Sequence, residues 1–368
     1  MLIVVAMLTI LTSIGVTSYL LLGKTRAMTA AEITLNSMLR QARNSAMSER
    51  VPACVRILKD AQDRYYVNLF VRQPVSTWHF EEVVGNEFPG AFGQKAVARD
   101  ATTDQPLTAP IVLAQGRYGD CPLFNGGFYL EVFIRKVGTT YLTPPALNLA
   151  EGVAMEAWVW PDTKDGTGQP LPDGAILPIV SRHAPGSTTA YCLYLLYVAQ
   201  PPPGLFRIVS SVNVVDQSGP VLVRSSSLPI LKPCVWTHVS GSYRSDESEV
   251  KLTMNGVILT PDQPQDTGTG VLVSNAAPVL IGKLDTNLFY GKLDEVMVAG
   301  YLSSEKQKFP PNVTVGLENV TADSSIYFDS YGRLDSSRHS AEPSVVLTVA
   351  DRLRRKFVVN RSGEILTE

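Results

Sequence analysis

Charge is sparse in this 368-residue chain: 18% of its residues are Asp, Glu, Lys or Arg, and residues 1–23 carry none. The 32 basic side chains nearly cancel the 34 acidic ones, leaving a net charge of −2 and no field to hold a polyanion. Nucleic acid is therefore not an expected partner. Histidine and cysteine are scarce as well, four of each. His79, His183, His238 and His339 show no His-x-x-x-His spacing, and Cys54, Cys121, Cys192 and Cys234 contain no Cys-x-x-Cys pair, so no transition-metal ligand set is present. Helical periodicity is almost missing beyond residue 52, and 27 Gly with 25 Pro favour turns, which excludes a helical bundle. At 45% hydrophobic the chain is globular, and its length predicts two compact units, three at most.

What is present first is the apolar run 1–23. As a helix it rises about 34 Å, enough to cross the roughly 30 Å hydrocarbon core of a bilayer. A cleaved signal would need a basic start and an Ala-x-Ala exit; no Lys or Arg precedes this run, and Leu20, Leu21 and Leu22 carry it to Gly23. Beyond Lys24 and Arg26, the spacing of Ile33, Met38, Leu39, Ala42 and Ala46 among Glu32, Arg40, Arg43 and Glu49 continues as an amphipathic helix over 24–50, ended by Pro52. The whole is one helix of about 75 Å. Lys24 and Arg26 by themselves would place the soluble part in the cytoplasm.

Met1-Leu2-Ile3-Val4-Val5-Ala6 is similar to the stem of type IV pilins and of the pseudopilins of type II secretion, just after their opening Phe-Thr-Leu-Ile-Glu. The segment Asn36–Ala46 followed by Val51-Pro52-Ala53 resembles the helix-to-sheet passage of minor pseudopilins. The resemblance implies a basic leader and five further residues upstream of Met1, N-terminal processing and methylation, and other pilin or pseudopilin subunits as partners through the helix. It also implies a bacterial inner-membrane, single-pass location, with the soluble part periplasmic or in an extracellular filament.

Strand runs at 53–58 and 65–72, joined by a hairpin signal at Lys59–Arg64, begin a sheet too small to stand alone. Its complement lies at the far end: Ser325–Asp329, the turn Ser330–Arg333, Ser344–Val349, Lys356–Val359 and the turn Asn360–Gly363, again similar to the closing sheet of minor pseudopilins. Residues 1–75 and 310–368 together are of ordinary domain size, so 76–309 reads as an insertion between two strands. Three consecutive domains would leave two half-sheets with open edges.

Within 76–309, short strands alternate with turns, as in a β-sandwich. Met155, Ala157 and Val159 share one face, and Asn255-Gly256 is a tight-turn signal. Trp78–Glu82, Leu147–Leu149, Met155–Pro161, Ile179–Arg182, Trp236–Tyr243, Leu252–Val257, Ile281–Lys283 and Gly291–Val296 together resemble a laminin G-like, concanavalin A-type jelly roll. The expected architecture is thus an α+β pilin-like fold, a long N-terminal helix plus antiparallel sheet, with an inserted all-β jelly-roll sandwich.

The jelly-roll resemblance is weak for function, because such folds host lectins, adhesion modules, hydrolases and spacers. The Glu-x-Asp-x-Glu pattern of some of its glycosidases is absent; the nearest pair, Asp294-Glu295, is adjacent on a strand and is expected to point to opposite faces. The resemblance implies a calcium ion at the sandwich rim, held by one or two carboxylates plus backbone carbonyls, with Asp120 and Asp294 as the candidate carboxylates. Trp158, Trp160 and Trp236 lie in strands and are read as core packing, His238 as a packed, hydrogen-bonded side chain, and Arg352, Arg354, Arg355 and Lys356 as a solvated edge. In an oxidising compartment Cys192 and Cys234 are the preferred disulfide, with Cys54 buried in the pilin-like sheet. The expectation is a non-enzymatic, membrane-anchored pilin-like subunit that displays a recognition domain for a glycan or a surface protein. The alternatives are a tethered carbohydrate-binding protein that never assembles and a tethered glycosidase.

Overall fold

A computed structural model describes residues 2–49, 51–60, 62–133, 135–137, 140–142, 147, 149–183, 189–200, 204–216, 219–245, 248–262, 266–275, 277–303, 306–321, 324–336, 339–349 and 353–368, with backbone alone for 2–21, 49, 135–137, 140–142, 302 and 303. The chain forms two compact units: residues 1–72 with 302–368, and residues 73–301. The divisions fall three residues before the expected 75/76 and eight before 309/310. At each of them a 14-residue strand, Tyr65–Trp78 or Tyr290–Ser303, runs on through the division, so no loop marks it.

In the first unit a single 48-residue helix spans Leu2–Glu49. Met28, Ala31, Leu35, Met38, Leu39, Ala42 and Ala46 recur every three or four residues and are buried along one stripe. Ile33, expected on that stripe, is 65% exposed. At 100° per residue it sits 200° from both Ala31 and Leu35, and those two fill the contact instead. The buried stripe packs on Val55, Val67, Phe309, Phe328, Leu347 and Phe357. Glu32 and Arg355 pair at 3.1 Å and Lys356 pairs with Glu318 at 3.3 Å, so part of the basic edge is engaged. Among the described residues no helix is long and apolar enough to cross a membrane. The expected span 1–23 lies, but for Leu22 and Gly23, outside the residues whose side chains are described.

Strand Ala53–Lys59 pairs with Tyr65–Trp78 from Ala53↔Val71 to Lys59↔Tyr65, and on its other side with Ser325–Phe328 from Ala53↔Phe328 to Arg56↔Ser325. The two chain ends thus share one sheet. A second sheet of the same unit orders Val313–Glu318, Ser344–Val349, Leu353–Val359 and Ile365–Thr367.

One device closes several of these hairpins. An Asp or Asn accepts the amide of the residue four ahead on its side-chain oxygen, and the residue three ahead takes a positive φ. Asp60 accepts from Gln62 and Arg64 with Asp63 at φ 59°, Asp329 from Tyr331 and Arg333 with Gly332 at 71°, and Asn360 from Glu364 with Gly363 at 80°. These are type I turns followed by a left-handed residue, the three-residue hairpin loop that keeps strand twist. Asp165 repeats the device in the second unit, with Gly168 at 84°.

The second unit is an all-β jelly-roll sandwich of two antiparallel sheets. One orders Val257–Ile258, Lys251–Met254, Thr237–Arg244, Gly152–Pro161 and Tyr290–Ser303, to which Asp120–Asn125 adds. The other orders Gly219–Ser226, Leu205–Asp216, Tyr191–Val198, Ile176–Arg182, Val279–Ile281, Phe128–Phe133, Lys95–Asp100 and Glu87–Pro89. Met155, Ala157 and Val159 do share the core face, in one cluster with Leu130, Ile179, Leu193, Ile208 and Val298. Asn255 and Gly256 both have positive φ, 51° and 79°, as a tight hairpin turn of the mirror-image type requires.

Gly363 tests how tightly the closing turns are packed. A Cβ there meets the Gly332 carbonyl at 2.0 Å, whereas a Cβ at Gly168, with the same positive φ, meets nothing within 4 Å. Gly168→Ala should cost about 1 kcal/mol of backbone strain, and Gly363→Ala about 3 kcal/mol or more, read as shifts in denaturant midpoint. Equal effects would refute the close approach of the two turns.

Candidate functional site

The outer face of the first sandwich sheet carries the side chains that the core face excludes. With Met155, Ala157 and Val159 turned inward, Glu156, Trp158 and Trp160 alternate outward, each half-buried. Trp158 and Trp160 are therefore not core residues, in contrast to the expectation, while Trp78 is fully buried and fills the core. Trp236 is half-buried. The same alternation that identified the core face contained this signal.

Neighbouring strands supply the rest of the face. Trp158 lies opposite His238 on one side and Asp294 on the other, Glu156 opposite Ser240 and Met297, and Trp160 opposite Lys292. The Trp158 and His238 rings meet edge-on at 5.5 Å, and His238 is 3.7 Å from the Glu156 carboxylate, so the histidine is packed as expected. Lys292 lies 4.8 Å over the Trp160 ring. At the end of the row Tyr118, 50% exposed, stands perpendicular to Trp158 at 6.3 Å, with the Arg117 guanidinium 4.7 Å over the indole.

A bulge positions Arg117 and Tyr118. Between the pairs Glu156↔Met297 and Trp158↔Asp294, Ala157 alone faces both Glu295 and Val296, and Glu295 takes a φ of 50°. Leu293 and Val296 are both buried in the core, so the two residues between them, Asp294 and Glu295, turn away from it together. The strict alternation expected for this pair fails here for that reason. Asp294 Oδ2 accepts the amides of Arg117 and Tyr118 at 2.8 and 2.9 Å, and Oδ1 accepts that of Glu295 at 2.9 Å. Glu295 pairs instead with His79 at 2.8 Å. Burial raises the Asp294 carboxyl above the usual carboxylate range, the three amide donors opposing it and the adjacent Glu295 charge reinforcing it.

Both oxygens of Asp294 already accept amide hydrogens, and Asp120 is an exposed residue at the start of its strand. Calcium takes six to eight oxygens, so backbone carbonyls would have to supply most of a site built on these two carboxylates. Among the described residues no group of three or more His, Cys, Asp or Glu is placed to hold a metal. All four cysteines are free thiols, which corrects the Cys192–Cys234 pairing. Cys192 is buried on its strand with Sγ 3.1 Å from Ser211 Oγ, whereas Cys234 is exposed, its amide bound to the Pro161 carbonyl. Cys54 is buried against Phe70 and Tyr327.

The inserted unit is therefore a jelly-roll sandwich with an aromatic ridge on one outer face, a class defined by architecture and surface rather than by a catalytic centre. No protein-family model and no curated protein matches the chain. Solved structures similar to it include domain 4 of AbnA, a GH43 extracellular arabinanase from Geobacillus stearothermophilus, in complex with arabinotriose, at a TM-score of 0.40 and 16% identity over 65% of this chain and 95% of that one. Others are a SAP-like pentraxin from Limulus polyphemus, at 0.30 and 9% over 67% and 75%, and the Ruminococcus gnavus IT-sialidase CBM40 bound to alpha2,3 sialyllactose, at 0.26 and 14% over 41% and 75%. Likeness this distant carries nothing about what the present chain binds.

Asp294→Ala should unpair three amides, loosen the 116–119 turn and cost about 3 kcal/mol in chemical unfolding. The loss should be the same with calcium or with a chelator present; a stabilisation by calcium that vanishes in Asp294→Ala would instead make this aspartate a ligand.

Proposed function

We propose that the chain is a non-enzymatic, membrane-anchored, pseudopilin-like subunit whose sandwich unit recognises carbohydrate through the Trp160–Trp158–Tyr118 ridge. The observation that carries the recognition reading is the outward row of aromatic rings flanked by Glu156 and His238. Indole and phenol faces take the apolar C–H face of a sugar ring, and the polar side chains beside them take its hydroxyls. Alternate strand positions set the two indoles about 7 Å apart, a spacing suited to an extended glycan chain rather than to one enclosed ring. Arg117 and Lys292 lie over the Trp158 and Trp160 rings, one face of each, and bring hydrogen-bond donors there, which leaves the opposite faces for a sugar.

Binding without hydrolysis is the reading that suits the acids. A glycosidase needs two carboxyl groups available to one glycosidic bond. Here Asp294 is committed to three backbone amides, Glu295 to His79, and Glu156 faces His238.

The anchoring reading rests on the charge-free residues 1–23 and on their continuation as one helix through Lys24 and Arg26 into a stripe buried on its own sheet. In this reading the apolar half stores the subunit in the membrane and packs with other pilin-type helices on assembly, because the same surface suits lipid and neighbouring apolar helices.

Two measurements test these readings separately. On a glycan array, full-length protein in detergent should bind a defined set of neutral glycans. Trp158→Ala should weaken that binding by about 2 kcal/mol, roughly thirtyfold. Unchanged binding in Trp158→Ala would remove the ridge from the proposal. For the anchor, the chain from Lys24 onward should leave the membrane fraction that retains the full chain; retention of both, or extraction of the full chain by alkaline carbonate, would refute it.

A further inference from the structure

The other sandwich sheet carries a cavity on its own outer face. Ala98, Leu130 and Ile281 point into the core, so the alternate residues of the same strands, Arg99, Tyr129, Glu131 and Leu280, line the far side. Arg99 lies opposite Tyr129, and Glu131 opposite Leu280, in register. Asp104, at φ 56° in the turn after strand Lys95–Asp100, closes one side. His183 and the short hairpin that bears Lys283 and Asp285 close another, and Pro278 completes a cavity of about 240 Å³.

Its charges are arranged in couples. Arg99 Nε donates to Glu131 Oε2 at 2.5 Å. Asp104 Oδ1 accepts from Lys283 Nζ at 2.5 Å and from the Tyr129 hydroxyl at 3.0 Å, with the lysine 4.1 Å over the phenol ring. His183 bridges Thr189 Oγ1, 2.7 Å from Nδ1, and the Asp285 carboxylate on Nε2. The bond from Lys283 holds the Asp104 carboxyl below the usual carboxylate range. Among the described residues, the second carboxylate oxygens of Asp104, Glu131 and Asp285 make no hydrogen bond within the protein.

These features select a ligand class. An anion would meet three carboxylates against Arg99 and Lys283, and a cation would have to displace one of these two from a close pair. An apolar ligand would strip water from carboxylate oxygens without replacing it. Hydroxyl groups donate to those oxygens and break no pair, while Leu280 and Pro278 face the C–H side of a ring. We infer that this cavity is a second binding site of the sandwich, distinct from the aromatic ridge, for one neutral polyhydroxylated ring such as a hexose, a pentose or a cyclic polyol. The choice of ligand class leans on the reading of the sandwich as a carbohydrate-recognition unit; the site itself does not.

The test is titration of the full chain, in detergent, with D-glucose, D-galactose, D-mannose, L-arabinose, L-fucose and myo-inositol, followed by ligand-observed NMR. At least one should bind saturably. Leu280→Trp, which fills the cavity, and Asp104→Ala should each weaken it roughly tenfold or more, Trp158→Ala should leave it unchanged, and glucuronate and glucosamine should bind at least roughly tenfold worse than the best neutral sugar. Thermal melting verifies that the variants fold; should Leu280→Trp not fold, Asp104→Ala and Lys283→Ala decide. The proposal fails if no neutral ligand binds below about 10 mM, if binding survives in the folded cavity variants, if a charged sugar is preferred, or if the loss follows Trp158→Ala. That last result would leave the ridge reading intact while removing this one, and array binding lost only in the cavity variants would do the reverse.

Discussion

Strand Ala53–Lys59 is hydrogen-bonded on both sides, to the strand that follows it and to Ser325–Phe328, about 275 positions further along the chain. Without the second pairing, the helix and one hairpin would bury too little to persist, and the C-terminal strands would lose the surface on which Phe328 packs. The entropy of closing so long a loop grows only as the logarithm of its length, each doubling costing about 0.6 kcal/mol, so a long insertion is tolerated provided it folds on itself. The insertion does so, with a core of its own that runs from Trp78 to Val298.

Within the insertion the bulge at Glu295 has a comparable role on a smaller scale. One extra residue in strand Tyr290–Ser303 turns two acidic side chains to the same side. Asp294 then gathers the amides of Arg117 and Tyr118, and those residues bring a guanidinium and a phenol to Trp158. A regular strand would have sent one acid toward the core, where an unpaired carboxylate is unaffordable, and would have left the 116–119 turn without its acceptor. The ridge is thus a product of a local irregularity laid over a regular alternation.

Much of the molecule was legible because its signals are periodic or local. The Asp-x-x-x-Arg segments at 60–64 and 329–333 and the Asn-x-x-Gly segment at 360–363 are turns because a short side chain can hold the amide four ahead while the residue before that amide takes a positive φ. The stripe at Met38, Leu39, Ala42 and Ala46 is buried because 3.6-residue periodicity puts these residues on one side, and Ile33 falls outside it by the same arithmetic. β-rich composition and large apolar side chains suggest a core for Trp158 and Trp160, but the alternation around Ala157 assigns them outward.

Residue order alone determined which segments are helix, strand or turn and which faces are apolar, since these depend on side chains within a few positions of one another. It also required that the half-sheet at 53–72 find a partner, because unpaired strand edges and an uncovered helix stripe cannot persist in water. Only the tertiary structure decided which carboxylates are occupied, that Cys192 and Cys234 stay apart, and that Arg99, Asp104, Tyr129, His183 and Lys283 surround one cavity. Those outcomes depend on register, bulges and loop paths between residues as many as 180 positions apart, as Lys283 and Asp104 nearly are, and no local preference encodes them.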